Sequence, residues 1–242
     1  MAPELIESPA ALAALCDEFK NHACIAVDTE FARERSYFPH IGLIQLAGGD
    51  TIACIDPLAF DVKPLLSELM FNPAITKVFH ACMQDLEVLE LTLDDKPCPI
   101  FDTQVANALM HEDHQSSYAS LVMQTLNVPL PKSETRTNWL KRPLTTAQLE
   151  YAADDVRYLL SLHQQQQTEL ETLDRSAWMQ EECDRLCSKN FNDESALTDS
   201  WMRVKAKERL VGVELAVLQA AAVWRERRAI ARDRPRRRIL PD

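Results

Sequence analysis

Four short, mostly apolar runs, at 24–27, 41–47, 51–55 and 75–79, constrain this chain more than any other feature. Each is too short for an ordinary helix. None alternates cleanly with polar residues, as a strand wet on one face would. They therefore read as strands covered on both faces. Gly48-Gly49-Asp50 separates the second and third runs and reads as a hairpin turn, so part of the sheet is antiparallel. Helix-period segments fill the intervals. The first spans 9–20, with Ser8 as its cap and Pro9 at its first position. Others cover 62–70, 83–91, 103–110 and 118–126, and a further strand is expected at 97–101. Residues 127–143 are loop-rich. Thr145 or Thr146 caps a long helix expected to run past Leu162, and much of 168–190 is helical in pattern. Strands followed by alternating strands and helices give an α/β layer fold with a mixed sheet flanked by helices.

Composition narrows the function. Four glycines argue against a Gly-rich phosphate loop. Glu214 and Gln219 interrupt the best apolar stretch, 210–224, short of the ~18 residues a membrane span needs. Glu4 and Glu7 stand where a signal peptide would be basic. Seven cysteines, odd in number and widely spaced, form no disulfide framework and read as small core residues in a reducing cytoplasm. The net charge is −11, yet residues 225–242 hold eight arginines against three acids, a basic end on an acidic body that suggests a polyanion partner. A polar stretch near 190–200 marks a boundary. The helix expected from about residue 202 needs a partner surface that the remaining residues barely supply.

Three motifs carry chemistry. Asp28-Thr29-Glu30 ends the first apolar run, and residues i and i+2 of a strand share a face. His80 to Asp85 follows the run at 75–79, at a strand-to-helix junction where α/β folds place sites. Tyr151 and Asp155 are i and i+4 on a helix and lie on one face. Each motif alone is common. Together they would bring Asp28, Glu30, Asp85 and Asp155 into one cluster. Four adjacent carboxylates are costly unless some are protonated or cations bind. An all-oxygen ligand set favours Mg²⁺ or Mn²⁺, and two such ions ~3.5–4 Å apart form the clamp of phosphoryl displacement.

These motifs, with residues 31–39, Gly42-Leu43-Ile44-Gln45-Leu46, Ile55-Asp56-Pro57-Leu58 and residues 132–139, resemble the ribonuclease D family, in the tyrosine subclass of the DEDD exonucleases. The resemblance covers about 20–190. It implies a ribonuclease H-like fold and 3′→5′ hydrolysis of RNA 3′ ends, especially of tRNA precursors, releasing 5′-mononucleotides. By resemblance, Asp28, Glu30, Asp85 and Asp155 hold two Mg²⁺ or Mn²⁺ ions, and Tyr151 positions the attacking water. Thr29, Phe31 and His80 would border the terminal nucleotide. Lys132, Arg136 and Trp139 sit in a loop suited to phosphate contact and base stacking, with a core anchor as the other reading of Trp139. Arg33 and Arg35 either touch the RNA or lie on the surface.

The implied division is an exonuclease domain over 1–195 and an incomplete helical module, of the helicase-and-ribonuclease-D C-terminal type, over 196–242. The chain stops where such a module would continue, so weakened grip on long RNA is expected. A cytoplasmic monomer without membrane contact is expected. The rival readings are a DNA 3′→5′ exonuclease on the same fold and a catalytically impaired RNA-binding fragment.

Overall fold

The computed structural model describes residues 3–111, 115–131, 137–190, 197–205 and 207–241. The chain divides into two units, Met1–Phe31 with Ile41–Ser188 and Ala32–His40 with Lys189–Asp242.

The first unit is built on six strands: β1 (Glu4–Ile6), β2 (Cys24–Ala32), β3 (His40–Gly48), β4 (Thr51–Ile55), β5 (Thr76–Phe79) and β6 (Ile100–Asp102). Their order in the sheet is β1-β4-β3-β2-β5-β6. The β3–β4 hairpin is antiparallel, whereas β1–β4, β2–β5 and β5–β6 are parallel. The sheet is therefore mixed. Ile25, Ala26, Val27, Leu43, Ile44, Val78 and Phe79 are fully buried, consecutive residues included, so these strands are covered on both faces.

The covering helices are α1 (Pro9–Phe19), α2 (Lys63–Met70), α3 (Met83–Leu93), α4 (Thr103–Met110), α5 (Tyr118–Leu126), α6 (Thr146–Arg157), α7 (Leu159–Thr172) and α8 (Ser176–Ser188). α1, α2 and α3 pack in succession, while α6, α7 and α8 pack on β4, β5 and β6. Local chemistry fixes their starts. Ser8 accepts from Ala11 N, and Thr145 forms a reciprocal capping box with Gln148.

The structure corrects several expectations. β1 was not anticipated, since three residues carry no period. β2 continues to Ala32, beyond the apolar run. β6 starts at Ile100, after Pro97 and Pro99, which have no N–H to give a ladder. The long helix expected after Thr145 breaks at Tyr158. There the Tyr118 hydroxyl is inserted into the helix ladder. It donates to Asp154 O at 3.0 Å and accepts from Tyr158 N at 3.2 Å, the pair that would otherwise bond directly.

The loop after residue 137 closes on β3 through Arg142. Its guanidinium holds Asp56 at 2.5 and 2.7 Å, Trp139 O at 2.7 Å and Gly42 O at 2.6 Å. Burial alone would raise Asp56, but the Arg142 fork and two backbone N–H groups hold its carboxyl below the usual range. A Cβ on Gly42 would sit 2.7 Å from Trp139 O, so only glycine permits this approach.

In the second unit, the helix expected from about residue 202 is replaced by 3₁₀ turns at Asp199–Arg203 and Lys207–Arg209, and α9 (Val213–Arg232) follows. The residues 32–40 are clipped to its end. Asp233 accepts from Tyr37 N and Phe38 N at 2.9 and 3.0 Å, and Tyr37 donates to Glu226 at 2.6 Å. Arg236 binds Glu226 through Nε and Nη2 and lies 4.8 Å from the Tyr37 ring centroid. Val213, Val217 and Trp224 on α9 are exposed. No described helix is long and apolar enough to cross a membrane.

Arg142→Lys keeps the charge but loses the two-pronged hold on a buried carboxylate. It should lower the unfolding free energy by about 2–3 kcal/mol, measured by urea denaturation of the two proteins side by side.

Candidate active site

β2 and β5 run parallel, with Ala26 registered on Val78, so Asp28 and His80 each follow two residues later at the same edge of the sheet. Asp28 and Glu30 project from β2, with Thr29 between them turned inward and buried. Asp155 comes from α6. One carboxylate oxygen from each of Asp28, Glu30 and Asp155 lies within 4.8 Å of the others, and all three residues are half-buried. A solute can reach this triad.

Asp85, the fourth expected member, lies deeper, at 7% exposure in the first turn of α3. It stands outside the tight triad, but its charge is felt by Asp28, Glu30 and Asp155. Thr29 fixes it, donating from Oγ1 to Asp85 Oδ1 at 2.5 Å. The hydroxyl expected to border a substrate is thus committed to a carboxylate.

The turn that presents Asp85 is strained. Ala81 has φ of 58°, in the left-handed region that favours glycine. Asp102 holds it there, accepting from Ala81 N at 3.0 Å and Cys82 N at 2.8 Å while capping α4 through Gln104 N at 2.8 Å. Asp102 was missed as a site-supporting residue. Its position just before a helix-period segment is a readable cap signal, but its reach to residues 81 and 82 depends on the β5–β6 pairing. Next to this turn, His80 is bonded through both ring nitrogens, to Thr103 Oγ1 at 2.9 Å and Ser116 O at 3.0 Å. Burial lowers its pKa, with the Asp102 charge opposing.

Tyr151 stands one turn before Asp155 on α6, on the same face of the helix. Burial and the charges of Asp155, Glu30 and Asp28 push the phenol upward, so it stays protonated at neutral pH. Of the two readings of Trp139, the structure fits the core anchor. Its ring is 4% exposed and packs with Leu43, Cys54 and Ala152, leaving no open face for a base. Phe31 is partly exposed. Arg33 Nε donates to Tyr37 O at 3.1 Å, and Arg35 is exposed. Lys132 and Arg136 lie outside the described residues.

The carboxylates repel one another. Burial first, then Asp85, Asp155 and Glu30, push Asp28 upward. Burial and the charges of Asp155 and Asp85 push Glu30 up to about 8. Burial raises Asp85 against the opposing Thr29 bond, and burial and Asp154 raise Asp155. No described cation joins the triad. Arg157, the nearest along α6, pairs with Asp154 at 2.7 Å and Glu150 at 3.4 Å. An all-oxygen, half-open set with uncompensated charge fits hard divalent cations.

Residues 3–171 match the 3′-5′ exonuclease domain family. The chain belongs to that family. Ribonuclease D of Pseudomonas paraeruginosa is 39% identical over 241 residues, 99% of this chain and 64% of that protein. Ribonuclease D of Escherichia coli is 40% identical over 233 residues, 95% of this chain and 61% of that one. The crystal structure of Escherichia coli RNase D, described as an exoribonuclease involved in structured RNA processing, superposes with a TM-score of 0.88 at 37% identity. That match covers 100% of this chain and 64% of that one. The chain thus spans roughly three fifths of the length of the curated relatives it matches. The mixed sheet with flanking helices is the ribonuclease H-like exonuclease fold.

Carboxyl groups raised in the folded state bind protons that the unfolded chain has already lost. Their stabilising share is complete below about pH 4 and disappears as pH climbs through the folded values toward 8. Metal-free protein should therefore lose stability from about pH 5 to 8, and Mg²⁺ should restore more at the upper end. Asp28→Asn should raise metal-free stability at pH 8 by on the order of 1 kcal/mol, read from thermal unfolding with a chelator.

Proposed function

We propose that this chain carries the catalytic part of a metal-dependent 3′→5′ exoribonuclease that trims RNA 3′ ends, tRNA precursors among them, and releases 5′-mononucleotides. The observation that carries this reading is the half-open triad of Asp28, Glu30 and Asp155 with Tyr151 one helical turn from Asp155, in a chain of the 3′-5′ exonuclease family. Asp28, Glu30, Asp85 and Asp155 would hold two Mg²⁺ or Mn²⁺ ions. Bound there, the ions supply Lewis acidity, which activates water and offsets charge developing on the phosphate.

The remaining work falls to the chain's own groups. The Tyr151 phenol can donate or accept a hydrogen bond, and it would orient the attacking water. A phenol held protonated adds no charge to an already negative site and does not act as the base. Thr29 acts indirectly, by fixing the Asp85 carboxylate. Phe31 and His80 would flank the terminal nucleotide, Phe31 with its partly open ring. Lys132 and Arg136 would contact phosphates. Trp139 would serve by anchoring the loop that carries them.

We assign 1–195 to the exonuclease domain and 196–242 to the start of the helical module. The seven free cysteines accord with a reducing cytoplasm, where the protein would act as a monomer.

The test is a denaturing gel of 5′-labelled RNA with a single-stranded 3′ tail, beside DNA of the same sequence. In Mg²⁺ or Mn²⁺ the RNA should shorten stepwise from its 3′ end, and a chelator should stop it. Asp28→Asn and Asp155→Asn should each cost on the order of 10³-fold in rate, and Tyr151→Phe on the order of 10²-fold. RNA that binds but stays intact under either ion would contradict the proposal, as would faster degradation of the DNA.

A further inference from the structure

All seven cysteines are free, and the side chain of Cys187 meets the backbone just before Cys98. Cys98 is exposed, two residues before β6, and Cys187 is half-buried in the last turn of α8, which packs on β6. Cys187 lies against the segment that carries Cys98. Its Sγ donates to Pro97 O at 3.7 Å, the carbonyl preceding Cys98. A lysine ammonium adjoins the Cys98 backbone. Lys77 is fully buried, and its ammonium donates to Cys98 O at 2.8 Å, Ile75 O at 2.6 Å and Asn72 O at 3.0 Å. Burial pulls the Lys77 ammonium down to about 8. The thiolate is the form that attacks disulfides, and exposure makes Cys98 the accessible thiol of the two.

We propose that Cys98 and Cys187 are a reversible redox site that closes to an intramolecular disulfide by exchange with a small-molecule disulfide. The Cys98 thiolate attacks one sulfur of the small disulfide, breaks its S–S bond and releases one thiolate. Cys187 loses its proton to solvent and attacks Cys98 Sγ in the mixed disulfide, and the second thiolate leaves. The protein gives up two electrons and two protons, and the small disulfide is reduced to two thiols. Burial and the Cys98 neighbour push Cys187 up to about 12, so the exposed Cys98 begins the exchange and closure is the slow step. The bond would fasten the last turn of α8 to the approach of β6, the strand whose Asp102 braces the Ala81 turn.

The experiment treats the full chain with oxidised glutathione, quenches with acid, unfolds, alkylates and maps the peptides. The wild type should lose both thiols together, yield a Cys98–Cys187 cross-linked peptide at about 2 Da below the reduced pair, and return to the reduced form with dithiothreitol. Cys187→Ser should stop at a glutathione adduct on Cys98, and Cys98→Ser should leave Cys187 free. A wild type that stops at the Cys98 adduct with Cys187 still alkylated would overturn the proposal. So would a dimer linked through Cys98.

Discussion

Mutual repulsion among carboxylates at the end of β2 is the constraint to which this structure answers. Asp28, Glu30 and Asp155 put charge within 4.8 Å of charge, with Asp85 close behind. Nothing among the described cations neutralises them, and their upward shifts express that imbalance. A fold gains no stability from such a cluster in isolation. It gains a place suited to hard cations in a protein whose own net charge is −11.

Holding repelling groups in place requires bracing from every side. Thr29 ties Asp85 from the strand between its two acidic neighbours. Asp102 pins the left-handed Ala81 turn that aims α3 at the site. The Tyr118 hydroxyl ends α6 just past Asp155 by entering the helix ladder. The Arg142–Asp56 pair, passing over Gly42, seats Trp139 in the core beneath Tyr151. These supports are buried and specific, whereas the triad they position stays open to solvent.

The sequence made the strands and the carboxylates legible for one physical reason. Runs buried on both faces leave a nearly continuous apolar signature, and the acids that end such a run stand out against it. What it hid were features decided by tertiary contact. Tyr158 carries no helix-breaking residue type, and the break comes from a tyrosine 40 positions away. Thr29 reads as a substrate contact until its hydroxyl is seen bonded to Asp85. Trp139 was open between stacking and packing, and only its burial decides. The arginine-rich end suggested a polyanion partner, yet Arg236 is spent on Glu226 and Arg225 is buried, bonded to Leu240 O. That part of the charge organises the second unit.

The central claim is that the carboxylate cluster is built for divalent cations and carries excess protons without them. Calorimetric titration of metal-free protein with Mn²⁺, in buffers of different ionisation enthalpy, tests it most directly. Ion binding should expel protons at about pH 7, with the number released shrinking toward about pH 9, where Glu30 is already ionised. Asp28→Asn with Glu30→Gln should abolish both the binding and the release. Binding without proton release at neutral pH, or binding that survives the double substitution, would contradict the account.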